Sequence, residues 1–139
     1  MRVVVDTNIL VSALMSREGL PVRVVKLWAQ KRYDLVTSTW QIGELRRVSR
    51  YDSVRKYVSR AEVGTLVNAL REKALVLDNL PQVEYSPDPD DNPILSASIV
   101  GQVQYIVSGD KRHMLALETV QGIPVVTARK FVTLVAKSG

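Results

Sequence analysis

The chain has 139 residues, 46% of them apolar and 24% charged, which suits a single globular domain over residues 1–139 with a real core. It has no cysteine, so disulfides, thiolate zinc sites and cysteine nucleophiles are excluded, and the composition is compatible with a cytoplasmic location. No apolar stretch reaches the length of a membrane span, and Asp6 breaks the first apolar run too early for a secretory signal.

In chain order, Arg2 to Val5 reads as a short strand of the buried parallel kind. Asn8 can cap a helix that runs to about Ser16. Glu18-Gly19-Leu20 breaks the pattern, and Pro21 starts a second helix carrying Val24, Val25, Leu27 and Trp28. Tyr33 to Thr37 is a second strand. Ser38, with Gln41 three residues on, forms a capping box for a third helix that turns Ile42, Leu45 and Val48 inward. Tyr51 to Val58 reads as helical. Ser59 and Glu62 form another capping box ahead of Val63, Leu66, Val67 and Leu70. Ala74 to Leu77 is a third strand, ended by the turn signal Asp78-Asn79-Leu80-Pro81. Residues 86–93 are an extended loop rich in proline and aspartate. A helix follows from Asn92-Pro93 to about Val100. Gln104 to Val107 is a fourth strand, Lys111 to Leu117 a short helix, Pro124 to Val126 a fifth strand, and Thr127 caps the last helix. Strands separated by helices predict an α/β fold, with a parallel sheet flanked by helices on both faces.

Four acids fall where catalytic metal ligands would stand. Asp6 ends the first strand, Glu44 lies within the third helix, Asp91 precedes the helix at Pro93, and Asp110 follows the fourth strand. A strand that stops on a carboxylate puts the charge at a sheet edge, where open α/β folds build their sites. Each acid also has a plainer reading. Asp6 belongs to a capping turn, Glu44 pairs with Arg46 or Arg47, Asp88, Asp90 and Asp91 serve a turn, and Asp110 caps a helix. Glu44 has Trp40 and Val48 four residues away, so it faces at least partly inward and needs a partner or a cation.

The net charge is +5, and it becomes +9 when these four acids are set aside. A basic shell around an acidic pocket suits a polyanion held near metal ions. Arg46, Arg47 and Arg50, together with Lys111 and Arg112, are candidate RNA contacts; a solvated basic surface explains them equally well. His113 is the single histidine and reads as a surface residue beside Lys111 and Arg112. There is no serine-hydrolase elbow and no glycine-rich phosphate loop. An oxygen-only ligand set suits Mg²⁺ or Mn²⁺ rather than zinc.

Taken together, Val3-Val4-Val5-Asp6-Thr7-Asn8-Ile9-Leu10, Glu44-Leu45, Asp88-Pro89-Asp90-Asp91-Asn92 and Tyr105-Ile106-Val107-Ser108-Gly109-Asp110-Lys111 resemble the PIN domain family. Within it, the chain is similar to VapC-like ribonuclease toxins of type II toxin–antitoxin modules. The likeness spans essentially the whole chain. It implies a PIN-like three-layer sandwich with a five-stranded parallel sheet. It implies an acidic pocket of Asp6, Glu44, Asp91 and Asp110, supported by Thr7, Asn8 and Ser108. It also implies Mg²⁺- or Mn²⁺-dependent hydrolysis of single-stranded RNA, homodimers, and a small antitoxin partner. After Asp110, Lys111-Arg112-His113-Met114 lacks the acidic residue common in that segment of the family. The alternative is a PIN module that binds RNA or a partner without cutting it.

Overall fold

The computed structural model describes residues 1–138. Its sheet has the order β3-β2-β1-β4-β6-β5. The strands are β1 (Arg2–Val5), β2 (Asp34–Ser38), β3 (Leu75–Leu77), β4 (Tyr105–Val107), β5 (Thr119–Val120) and β6 (Ile123–Val126). The five expected strands are present and parallel. The sixth, β5, is a two-residue strand antiparallel to β6, too short to leave an alternating pattern in the sequence.

Among the described residues, seven α-helices surround the sheet: α1 (Thr7–Met15), α2 (Leu20–Ala29), α3 (Thr39–Val48), α4 (Asp52–Arg55), α5 (Arg60–Lys73), α6 (Asn92–Val100) and α7 (Ala128–Lys137). None is long and apolar enough to cross a membrane. Side chains alternate across a strand, so a strand covered on both faces must be apolar throughout. Accordingly Val3 and Val5 join one core cluster with Leu35, Leu45, Val107 and Phe131. Val4 joins the other with Val36, Ile94, Leu95, Ile106 and Met114. At the end of α6, a Cβ on Gly101 would come within 2.8 Å of Val36, so glycine lets the helix end approach the sheet closely.

Local expectations were met unevenly. Ser59 and Glu62 form a complete capping box, and the Thr127 side chain caps α7. Ser38 caps α3, but the Gln41 side chain does not reach back to it; the amide donates to the Val5 carbonyl instead. Asn8 does not cap α1: it lies within the helix, and Asp6 holds the N-cap position. The helix expected over Tyr51 to Val58 shrinks to the four residues of α4. The helix expected over Lys111 to Leu117 is a turn followed by a 3₁₀ segment, Leu115–Leu117.

The topology has one reversal. From β1 the chain adds β2 and β3 on one side, then returns to place β4 and β6 on the other. The crevice beyond the carboxyl ends of β1 and β4 lies at this reversal, where doubly wound sheets bind ligands.

Candidate active site

Asp6 leaves β1 at that crevice, its amide bonded to the Val107 carbonyl of β4 at 2.8 Å. Its carboxylate is buried and accepts a hydrogen bond from Ser108 Oγ at 2.8 Å. Although Asp6 stands at the N-cap of α1, its side chain makes no capping bond. Burial pushes its pKa up and Asp110 adds to that, while Ser108 and the nearby amides of Thr7 and Asn8 favour the charged form.

Glu44 projects from α3 with a side chain only 10% exposed. It accepts a hydrogen bond from Thr7 Oγ1, and Arg47 lies 3.8 Å from its second oxygen. Desolvation lifts its pKa to about 7. Asp6 and Asp90 push the same way, and Thr7 and Arg47 oppose them. The simple ion pair with Arg47 is thus present, but it is long and does not offset the burial.

Asp91 occupies the N-cap of α6, buried, helical in backbone and again without a side-chain cap. Its carboxylate accepts from Ser86 Oγ at 2.7 Å. Burial raises its pKa to about 6, against Ser86 and with help from Asp88, Asp6 and Asp110. Three hydroxyl-bearing caps elsewhere in the chain do bond to their helices. Asp6 and Asp91 hold the same position yet direct their carboxylates elsewhere. Asp110 is different, since its Oδ1 accepts the amides of Arg112 and His113, which is turn chemistry.

These four acids line one cavity of about 510 Å³, together with Asp88 and Asp90. Thr7 and Asn8 line it too, whereas Ser108 lies fully buried behind Asp6. The lining holds six carboxylates and one cationic side chain, Arg47. The four acids nevertheless do not close on a single point. Among the described residues, the one group of metal-binding side chains with ligand atoms within 4.8 Å of one another is Asp88, Asp91 and His113. His113, read from the sequence as a surface residue, is half-buried and 3.6 Å from Asp110.

The candidate basic residues separate. Arg47 lines the acidic cavity and bonds Tyr51 Oη at 3.0 Å. Arg46 and Arg50 line a different cavity of about 460 Å³, with Arg55 and Arg60. Lys111 and Arg112 are exposed beside Asp110.

Three residues that position the site lacked a sequence signal. Buried Gln41 donates to the Val5 carbonyl and to Thr7, and accepts from Thr37, tying β1, β2 and α3 together below the pocket. Ser86 holds Asp91. Asn92 accepts the amides of Tyr85 and Ser86 and donates to the Ser86 carbonyl, which fixes the loop that carries Ser86. Polar residues of these types are ordinary in caps and loops, so only burial marks them out.

The donor set tests well against a divalent cation. Asp6, Glu44 and Asp91 are desolvated carboxylates with raised pKa values in a cavity with one cationic side chain, and oxygen donors of this kind suit a hard dication.

A family model described as PIN domain matches residues 2–112. An uncharacterized protein of Methanocaldococcus jannaschii, MJ1680, is 23% identical over 111 residues, covering 79% of this chain and 71% of that protein. In structure, the chain is similar to one in the crystal structure of VapBC2 from Rickettsia felis bound to a DNA fragment from their promoter. The TM-score is 0.61 at 14% identity, covering 91% of this chain and 98% of that one. The chain belongs to the PIN domain family, whose members are generally nucleases.

Proposed function

We propose that the protein is a metal-dependent endoribonuclease that hydrolyses phosphodiester bonds of single-stranded RNA. One observation carries this reading: six carboxylates and a single cationic side chain surround one cavity at the sheet's reversal point, and two of those acids forgo helix capping to face it. Asp6, Glu44, Asp91 and Asp110 line that cavity, and drawn together they would hold Mg²⁺ or Mn²⁺. When bound, such an ion supplies Lewis acidity, offsetting charge on a phosphate oxygen and making water more acidic.

The chain's own residues do the rest. Ser108 orients Asp6, Ser86 orients Asp91, and Thr7 orients Glu44. Glu44, held by Thr7, would bind the ion directly or orient the attacking water. Arg47 at the cavity wall can bind a phosphate oxygen, and the exposed Lys111 and Arg112 can attract the flanking RNA. Arg46 and Arg50 would contact RNA farther from the point of cleavage.

The toxin role in a toxin–antitoxin module belongs to the same proposal, with a small antitoxin as partner and a homodimer as the assembly. Structural similarity to a chain of a VapBC2 complex supports it. Co-expression with the product of the adjacent open reading frame should yield a stable complex in which cleavage is inhibited.

The central test uses Asp6→Asn and Asp91→Asn with RNA and Mn²⁺. Each should lose cleavage while keeping the wild-type circular dichroism spectrum. Undiminished cleavage in both variants would remove the assignment. Metal and RNA binding without cleavage by the wild type would instead favour a non-catalytic binding module.

A further inference from the structure

We propose that His113 supplies a nitrogen donor which, with the carboxylates of Asp88 and Asp91, makes this pocket favour a first-row transition dication over Mg²⁺. The inference rests on the metal-dependent reading above and extends it to a residue outside the expected acidic set.

The geometry is that of an incompletely closed metal site. One ligand atom from each of Asp88, Asp91 and His113 lies within 4.8 Å of the other two. Ligands on opposite sides of a small dication, each about 2.1 Å from it, stand about 4.2 Å apart. Adjacent ligands stand closer, about 3 Å apart, so the group must contract to seat an ion. Each of the three groups is held locally, Asp88 through its Oδ1, which accepts the Asp90 amide at 3.0 Å. Asp91 is buried and bonded to Ser86, whose Oγ also accepts the Asp88 amide at 3.2 Å. The His113 amide donates to Asp110 Oδ1 at 3.2 Å, while the imidazole Nδ1 lies 3.6 Å from Asp110 Oδ2.

Asp110 thus holds the histidine through its backbone amide, with its second oxygen near the ring. A carboxylate beside one ring nitrogen is a common companion of an imidazole that binds metal through the other, and with Nδ1 beside Asp110 the nitrogen left for an ion is Nε2. The short turn at 111–114, found where a helix was expected, is what brings the ring back toward Asp88 and Asp91.

The choice of ion follows from ligand chemistry. Mg²⁺ binds oxygen and gains little from imidazole, whereas Co²⁺ and its neighbours gain from each nitrogen donor. Co²⁺ is a suitable probe because its visible absorption reports its ligands.

The experiment titrates the full chain with Co²⁺ and with Mg²⁺ by calorimetry and absorption, in wild type, His113→Gln and Asp88→Asn. His113→Gln should weaken Co²⁺ binding about tenfold or more and shift its absorption band, with Mg²⁺ affinity unchanged within about twofold. Asp88→Asn should weaken both ions. Pulsed electron paramagnetic resonance on wild type loaded with Mn²⁺ should show coupling to an imidazole ¹⁴N, a readout that needs no variant. Unchanged Co²⁺ affinity and absorption in His113→Gln, or no nitrogen coupling in the wild type, would overturn the histidine's role. If Asp91→Asn still abolished binding, the metal pocket itself would stand. Failure of the wild type to bind any of these ions at millimolar concentration would overturn both proposals.

Discussion

Helix α3 separates two charged cavities of opposite sign. On one side Glu44, Arg47 and Val48 face the acidic cavity; on the other, Arg46, Ser49 and Arg50 face the arginine-lined one. The helical period explains the division, since residues 44, 47 and 48 share one face and residues 46 and 50 another. Two of the acids are withdrawn from water, Asp6 at 6% exposed and Asp91 at 8%, and Glu44 is half-buried, whereas Asp90 is exposed. The arginines are all exposed. Like charges crowded in a desolvated space repel and favour protons or a cation. Like charges in water cost little and are screened by salt. The first cavity should therefore respond to pH and to metal ions, and the second to ionic strength and to RNA.

The largest contrast should appear in turnover. Asp6→Asn or Asp91→Asn should lower kcat by on the order of 10²-fold or more, as losses of preorganised charge at a reacting centre do. Replacing Arg46, Arg50 and Arg55 together by alanine should leave kcat at saturating RNA within about twofold. Single-turnover cleavage of a labelled oligonucleotide measures both. Equal kcat losses on the two sides of α3 would break the comparison.

Next in size is the pH response of the metal-free chain. The Glu44 pKa rises from its ordinary 4.5 to about 7, and the Asp91 pKa from 3.8 to about 6. Both shifts are upward, so the folded chain holds protons that the unfolded chain has already released. The stability this contributes is complete below about pH 4, and is lost as pH rises through 6 and then 7. Urea denaturation at steps from pH 5 to pH 8 should show the decline, and Glu44→Gln should flatten its upper part. Metal affinity should rise over the same interval, because ion and proton compete for the same oxygens. A wild-type profile that matches Glu44→Gln would mean that the acidic side is solvated like the arginine side.

The sequence showed these two regions unequally. The doubly buried sheet was legible because β1 is apolar at every position from Val3 to Val5, and the strand-ending Asp6 and Asp110 follow from the same pattern. Three-residue strands and the two-residue β5 blurred the boundaries, since so few residues carry little periodicity. Asp88-Pro89-Asp90-Asp91 announced an acidic loop, and Asp91 proved to be its buried member. Nothing in the sequence said that Ser86 would hold Asp91, because that bond depends on how Asn92 folds the loop back. His113 lies at the surface as read, but half-buried, for a related reason. Lys111 and Arg112 suggest a solvated helix, but the Asp110 side chain takes up the local amides and makes a turn. The separation of Arg47 from Arg46 and Arg50 was implicit in helical spacing, yet it has meaning only once α4 and α5 are seen to wall off the second cavity.

A smaller effect concerns RNA affinity. The triple arginine variant should bind single-stranded RNA roughly tenfold more weakly at moderate salt. Its plot of log affinity against log salt should flatten by about 0.7 for each phosphate that the variant no longer neutralises. Arg47→Ala should behave differently. It removes the one cation of the acidic cavity, so Glu44 should titrate still higher and metal binding near neutral pH should weaken. Fluorescence anisotropy over a salt series separates the two. An unchanged salt slope in the triple variant would show that RNA does not follow that side of α3.

The smallest effect compares two serines, one from each region. Ser59 lines the arginine cavity and caps α5, and Ser86 holds Asp91. Alanine at 59 removes the bond from the Glu62 amide at 3.1 Å, and alanine at 86 removes two, to the Asp91 carboxylate at 2.7 Å and from the Asp88 amide at 3.2 Å. Ser59→Ala should cost about 1 kcal/mol, the usual value of a helix cap, at every pH. It should leave metal affinity alone. Ser86 donates to a carboxylate whose charged form it favours, so Ser86→Ala should move the Asp91 titration further upward. The stability lost should then grow with pH, because only the ionised carboxylate misses its donor strongly. Metal affinity should fall several-fold near pH 6 and recover toward pH 8 as Asp91 ionises without help. Parallel denaturation and metal titrations at these two pH values measure the difference. The same chemical deletion would then register as a constant loss on the solvated side of α3 and as a pH-dependent one on the buried side.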